Sequence, residues 1–546
     1  MSGTHTQVGE DVKVENMKVE NMTVENLKVE NKGETPRVEN DWTIMVFFAG
    51  EQDLSPSMTS QLKAIKDAGF QKNTTVLIHY DPNKRGVGTF TFDINREGKK
   101  KMGTSIGDGR DSFVRNLFDD VIKGAPKGAT AAEAVRMFLQ MAGEKYPAKH
   151  YIIILVGHGV IVGNDAFLPD TSPETTAITL KELGEILSGF RACANFHGRT
   201  VELIGLHSCS MSAVEVVYEL KGAAKYLLAT EGLSFVGSWP YRQVLKKILN
   251  TIDEAKTSGG KVNVERLMMS IQRLCLHNSK DFMFSGISAD LCLCSLRPEK
   301  VNDLNEPLKN LTHALKEGLK YPRSRELITL AHLKAQSYFE EMYTDLYDFC
   351  LCLEKTCIEG GPVQEAMKKS CKGMKDVLKE TNDPNGFIVR SDFFGPLYQY
   401  SHGLSIYFPW ASPVVDNPPL PADDILRKYA DYAFTKEFEE DDSWLSFLKA
   451  YFKATLRDSR AVEDESRFGE NGRKESETEA LAAIGPEVIS LDSLEKSSPS
   501  TGKGTCSCVI KNYPILPIRS GRAAQDPNDG KNGSPSRQLA EVVAHR

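Results

Sequence analysis

Five short, mostly apolar segments constrain this chain more than any other feature: Trp42–Ala49, Thr75–Tyr80, His150–Gly157, Val201–His207 and Tyr226–Glu231. A strand buried on both faces has no polar side, so it reads as a continuous run and not as an alternation. The stretches between them carry helical spacing. Leu54–Ala68 follows the first run, Thr130 can cap Ala131–Lys145, and Thr179 can cap Leu180–Phe190. A threonine in that place accepts an otherwise unpaired N–H of the first turn. Ser212–Leu220 and a stretch opening near Tyr241 continue the pattern, while Val87–Asp93 alternates as an edge hairpin strand would. Strand and helix in alternation with short connections imply a mostly parallel sheet flanked by helices. The fold class is α/β.

After a strand at Asp290–Leu296 the pattern changes. Pro298–Leu319, Glu326–Leu353 and Pro362–Lys379 read as long helices, Gly386–Arg390 and Gly403–Phe408 as strands, and Trp444–Phe452 as an aromatic helix. The 546 residues therefore divide into an α/β body over residues 41–296 and a mainly helical C-terminal domain or extension over residues 297–456. Residues 1–40 hold a five-residue repeat, Val14-Glu15-Asn16 recurring at Val19, Val24 and Val29. A period of five lines up on neither a helix nor a strand, so this segment reads as a disordered arm. Residues 457–546 are rich in Glu, Ser, Gly, Lys and Pro and read as a disordered tail.

Charge and cysteine usage exclude several classes. With 67 basic and 74 acidic residues the formal net charge is −7, which gives no electrostatic reason to expect a nucleic-acid or anionic-membrane partner. No apolar run approaches the roughly 20 residues that span a bilayer, and the first residues lack the zones of a secretory signal. A cytoplasmic location is the expectation. The cysteine count of 11 is odd and mostly set within apolar patterns, as for reduced thiols and not a disulfide framework. Paired C-x-x-C units with histidine partners are missing, as are a G-x-S-x-G elbow and a phosphate-binding glycine loop. Neither a metal site nor a cofactor is expected.

In an open α/β sheet, ligands bind just beyond the C-terminal ends of the parallel strands. Two such ends carry reactive groups. His150–Gly157 runs into His158-Gly159, and Val201–His207 runs into Ser208-Cys209-Ser210. If these strands are neighbours, imidazole and thiol face one cleft, and a thiol needs such a base to act as a nucleophile. The amides of Gly159 and Cys209 would then point at a developing oxyanion, and a helix starting at Cys209 would favour its thiolate. Taken singly, a strand-end cysteine is more often a core residue and a strand-end histidine more often structural. Their joint placement, 51 residues apart, is what raises the catalytic reading.

Several stretches resemble the clostripain family of cysteine peptidases, within the caspase–haemoglobinase superfamily. They include Asp41-Trp42-Thr43-Ile44-Met45-Val46, Ile153-Ile154-Leu155-Val156-Gly157-His158-Gly159 and Ile204-Gly205-Leu206-His207-Ser208-Cys209-Ser210-Met211. Trp239-Pro240-Tyr241, Tyr343-Thr344-Asp345-Leu346-Tyr347-Asp348-Phe349 and Gly403-Leu404-Ser405-Ile406-Tyr407-Phe408-Pro409 follow in the same order. The resemblance implies a caspase-like sheet and an endopeptidase acting on protein or peptide. It implies His158 as general acid/base, Cys209 as nucleophile, and the amides of Gly159 and Cys209 as the oxyanion hole. The acidic run Glu437–Asp442 reads as a solvated helix face more than as a calcium site, although the resemblance implies that calcium dependence occurs in such enzymes.

Two departures stand out. Members of the family usually carry an aspartate two residues before the nucleophile, at the floor of a pocket for a basic P1 side chain; here His207 stands there. An imidazole cannot supply the buried negative charge that Arg or Lys requires, so another acid, Glu231 or Asp165, would have to replace it. From Gly159 to Leu180 there is also no Lys or Arg at which a basic-specific enzyme could cut itself. An alternative function is a catalytically weak or inactive caspase-like scaffold serving as a regulatory or interaction protein; a small-molecule hydrolase is a third class. The sequence leaves oligomeric state open.

Overall fold

The computed structural model describes residues 40–454, except 50–57, most of 59–72, 81–89, 94–121, 124–129, 161–165, 168–176, 236, 280–287, 340, 359, 412–414, 417–418 and 421. The repeat-bearing arm, the C-terminal tail and most of Leu54–Ala68 lie outside the described residues, as does Asp165.

The first half runs through β1 (Asn40–Phe48), β2 (Thr74–Tyr80), β3 (Phe90–Asp93), β4 (Ile122–Lys123), α1 (Ala131–Lys145) and β5 (Ala148–Val156). Two short strands, β6 (Gly159–Val160) and β7 (Ala166–Phe167), precede α2 (Leu180–Phe196), β8 (Thr200–His207), α3 (Val214–Glu219) and β9 (Tyr226–Ala229). Helices α4 (Tyr241–Thr257) and α5 (Val264–Ser279) lead into β10 (Ala289–Ser295). The second half contains α6 (Pro298–Asn302), α7 (Asn305–Gly318), α8 (Pro322–Lys334), β11 (Ser337–Tyr338), β12 (Tyr343–Asp345) and α9 (Leu346–Thr356). It continues with α10 (Pro362–Leu378), β13 (Ile388–Phe394), β14 (Ser405–Tyr407), α11 (Ala422–Asp431), α12 (Ala433–Lys436) and a helical run over residues 444–454.

One sheet organises these elements, in the order β13-β10-β9-β8-β5-β1-β2-β3-β4. Its five central strands, β9 through β2, are all parallel. Chain order reverses between β1 and β5, because β1 leads outward to β2 while β5, β8 and β9 build on the other side. In open α/β sheets, ligands bind beyond the C-terminal strand ends at such a reversal. The antiparallel strands β10 and β3 flank the parallel core, and β13 closes one edge against β10. The α/β sheet expected from the sequence is thus present.

Alternation along the strands feeds two apolar layers. Met45 and Phe47 of β1 face α1 and α2, meeting Phe138, Leu139, Leu183 and Leu187, whereas Ile44, Val46 and Phe48 face α4 and α5, meeting Val244, Ile248, Met268 and Ile271. The first layer continues without a break into the second half, through Leu308, Leu311, Phe349, Tyr407, Phe408 and Trp444. Both helices given a threonine cap have one, each closed as a reciprocal box: Thr130 with Glu133 and Thr179 with Glu182. No described helix is long and apolar enough to cross a membrane.

Two long helices expected in the second half are each broken. Pro298–Leu319 divides into α6 and α7, because Pro307 has no N–H to offer the carbonyl of Asp303. Glu326–Leu353 divides into α8 and α9, with the β11–β12 hairpin between them. There Asp345 caps the second helix, its carboxylate accepting from Asp348 N–H at 2.7 Å.

Candidate active site

Strands β5 and β8 are parallel neighbours in a register that pairs Val156 with His207. Gly157 N–H then reaches the His207 carbonyl at 3.4 Å, so the two chains leave the sheet side by side. His158 and Cys209 follow one and two residues later, both partly exposed. Gly159 shows how closely these loops pack. A Cβ on it would lie 2.3 Å from Met211 Cε, 3.0 Å from the Cys209 carbonyl oxygen and 3.1 Å from Ser208 Cβ. Only glycine lets the loop after β5 rest against the turn that carries the thiol. The structure therefore brings His158, Gly159 and Cys209 to one strand-end crevice.

The turn after β8 is strained. Ser210 has φ +55°, a left-handed conformation that a residue with a side chain adopts at a cost. Neighbouring backbone holds it there: Ser210 N–H donates to the Gly232 carbonyl at 2.9 Å and Ser212 N–H to Thr230 O at 2.8 Å. One expectation is corrected at this point. The helix after the thiol begins at Val214, five residues beyond Cys209, and has six residues, so its first turn is not aimed at the sulfur. The described donor to sulfur is instead a loop amide: Ser234 N–H lies 3.3 Å from Cys209 Sγ. The thiol faces the same residue's carbonyl oxygen at 3.7 Å.

His207 and Glu231 are both buried and committed to protein partners. The His207 ring stacks on Trp239 with centroids 4.6 Å apart and planes 9° from parallel. Its Nε2 lies 2.7 Å from the Phe235 carbonyl oxygen, which can only accept, so Nε2 carries the hydrogen and Nδ1 accepts from Tyr241 Oη at 2.8 Å. Burial lowers this imidazole to about 4, against the upward pull of the Phe235 carbonyl, and keeps it neutral. Glu231 accepts Gly403 N–H at 2.7 Å. Burial, then the charges of Asp345 and Asp290, raise its carboxyl well above the usual range. Burial likewise pushes Asp290 up to about 7, although its two oxygens accept the N–H groups of Glu231 and Gly232 at 2.6 and 3.0 Å. Burial thus keeps His207 neutral and disfavours a charge on Glu231.

Sequence reasoning missed Ser234, Asp290 and Tyr398, all of which converge on the loop beside the thiol. The available signal was one carboxylate in the otherwise apolar segment Asp290–Leu296. Within the acidic run Glu437–Asp442, Glu437 is paired with Lys221, Asp441 with Lys316, and Asp442 with Lys309 and His313. Among the described residues no group of three or more His, Cys, Asp or Glu is placed to hold a metal.

Comparison with known proteins adds the family. A sequence comparison with curated proteins gave no match. Among solved structures, the chain is similar to an inactive zymogen C11 protease from Parabacteroides distasonis, at 15% identity and a TM-score of 0.47 over 74% of this chain and 100% of that one. It is also similar to a secreted C11 cysteine protease from Bacteroides thetaiotaomicron in complex with an irreversible peptide inhibitor, at 14% identity and a TM-score of 0.44 over 76% and 99% of the two chains. The model of the clostripain family matches residues 47–451. That match runs from the strand opening the sheet into the last described helix, and on it the chain belongs to the clostripain family of cysteine peptidases.

Proposed function

We propose that this cysteine peptidase cleaves peptide bonds through Cys209 and His158, at sites whose P1 residue is uncharged. His158 takes the thiol proton, and the sulfur attacks the scissile carbonyl carbon. The resulting oxyanion lies against the amides of Gly159 and Cys209. As the C–N bond breaks, His158 returns the proton to the leaving amine, leaving an acyl-enzyme. Water then attacks the thioester, with His158 again as base, and releases the second product and the free thiol. The observation that carries this reading is the packing of Gly159 onto Ser208 and Cys209, which sets the two reactive loops against each other.

The P1 reading rests on what His207 has become. It is a neutral strut under Trp239, and the nearby Glu231 favours its protonated form. Among the described residues, His207 offers an Arg or Lys side chain no buried counter-charge there. The substrate is a protein or peptide, as for the family. A cytoplasmic location belongs to the same proposal; in support, the nine described cysteines are thiols outside any disulfide.

A positional-scanning peptide library tests both parts. Wild-type protein is expected to cleave with uncharged P1 residues, and Cys209→Ala and His158→Ala each to lower turnover at least a thousandfold with thermal stability nearly unchanged. Retained turnover in either variant would remove the dyad. Preferred cleavage after Arg or Lys would remove the P1 assignment and leave the dyad standing.

A further inference from the structure

Four consecutive backbone amides beside the thiol are each committed to a partner. Glu231 N–H donates to Asp290 Oδ2 at 2.6 Å, Gly232 N–H to Asp290 Oδ1 at 3.0 Å, Leu233 N–H to Tyr398 Oη at 3.1 Å and Ser234 N–H to Cys209 Sγ at 3.3 Å. The first three fix the course of the backbone that delivers the fourth. Asp290 comes from β10, two strands away from β8, and is 2% exposed, so its carboxylate has no water to turn toward. Tyr398 covers Gly232, where a Cβ would meet the ring carbon Cζ at 2.4 Å. From the other side the Gly232 carbonyl accepts Ser210 N–H at 2.9 Å and Thr230 Oγ1–H at 3.1 Å, tying the loop to the strained turn of the thiol.

We infer that Asp290 and Tyr398 are positioning residues for Cys209: through the backbone of residues 231–233 they hold Ser234 N–H on the sulfur and set how readily the thiol ionises and reacts. The inference rests on Cys209 being the nucleophile. A donor on sulfur favours the thiolate over the thiol, and it does so only while its aim is kept. Neither side chain touches the reacting atoms. Among the described residues, the ionisable group on the neighbouring strand-end loop is His158; Asp290 itself is grouped with Glu231, Asp345 and Tyr338.

The variants separate these contributions. Asp290→Asn leaves one acceptor oxygen for two amides and turns an NH2 toward the other. Tyr398→Phe keeps the ring on Gly232 and removes the acceptor of Leu233 N–H. Ser234→Pro deletes the amide on sulfur. The full-length protein is alkylated with iodoacetamide from pH 5 to 10, and labelling of Cys209 and of exposed Cys193 is followed by peptide mass mapping. Expected at pH 7 is a slowing of Cys209 by about tenfold in Asp290→Asn and about threefold in Tyr398→Phe, the midpoint of the profile moving upward. Cys193 should be unaffected.

Adding Asp290→Asn to Ser234→Pro should change Cys209 little further, because both act on one amide. Additive slowing, or an unchanged Cys209 profile in the single variants, overturns the inference. If Asp290→Asn fails to fold, Tyr398→Phe decides alone. The readout needs no peptide cleavage. Wild-type Cys209 reacting no faster than Cys193 would instead refute its role as nucleophile, whereas cleavage with unchanged variant profiles refutes only the positioning roles.

Discussion

At the scale of single residues, His207 shows how surroundings reassign a side chain. Its place two residues before Cys209 was legible in the sequence, and so was its lack of the negative charge that a basic P1 group would need. Its actual work was not, because Trp239, Tyr241 and Phe235 reach it only through the folded loop before α4. The structure gives it a pH signature. Burial lowers it to about 4 from the ordinary imidazole value of 6.5, so the unfolded chain takes up a proton across that interval while the native one does not. Stability from this residue is therefore present above pH 6.5 and is lost as pH falls toward 4. Asp290, pushed up to about 7 from 3.8, has the opposite slope: its stabilising proton is lost as pH rises through 7. His207→Gln isolates the first effect. Urea unfolding at pH 7 and 4.5 should show the deficit of the variant shrinking by about 2–3 kcal/mol at the lower pH. A deficit equal at the two pH values would mean that the buried imidazole is charged in the native state.

At the scale of elements, legibility followed the range of the interaction. The capping boxes at Thr130 and Thr179 and the apolar runs of β1, β5 and β8 are local, and sequence spacing located them. The β11–β12 hairpin interrupts a stretch whose spacing read as helix, since the pairing of β12 with β14 is decided 60 residues downstream. The short helix α3 depends on equally distant partners. Its Glu215 is buried and accepts Tyr407 N–H from β14 at 3.0 Å and Tyr429 Oη–H from α11 at 2.6 Å. Burial raises the Glu215 carboxyl, against the downward pull of those hydrogen bonds. Gln keeps the acceptor oxygen without the charge, while Ala strands two buried donors. Glu215→Gln should stay within about 1 kcal/mol of wild type and Glu215→Ala should lose about 3 kcal/mol or more in chemical denaturation. Equal losses would show that Glu215 serves only as packing volume.

Across the whole molecule, the sheet and the thiol turn both draw on residues far beyond position 296. Periodicity told strands from helices, but it carries no information on which strands pair or in which direction, so the antiparallel β10 and the edge strand β13 were not foreseen as one sheet. The consequence reaches the site. β13 covers the open edge of β10, the strand that presents Asp290 to the thiol loop. Tyr398 and Gly403 meet that loop from the second half, and Ser212 Oγ, three residues after Cys209, donates to the Gly403 carbonyl at 2.6 Å. The apolar layer over α1, α2 and α3 continues into Leu308, Phe408 and Trp444. A fragment of residues 41–296 would expose that layer and leave the hydrogen-bonding edge of β10 unpaired, a surface prone to association. Expressed alone, it should show no cooperative thermal transition by circular dichroism, and its Cys209 should alkylate no faster than Cys193. Supplying residues 297–454 as a second chain should restore both together, since the contacts that complete the sheet edge are continuous with those that aim the thiol loop. A cooperative transition and a fast Cys209 in the fragment alone would instead make the first half a self-sufficient catalytic body.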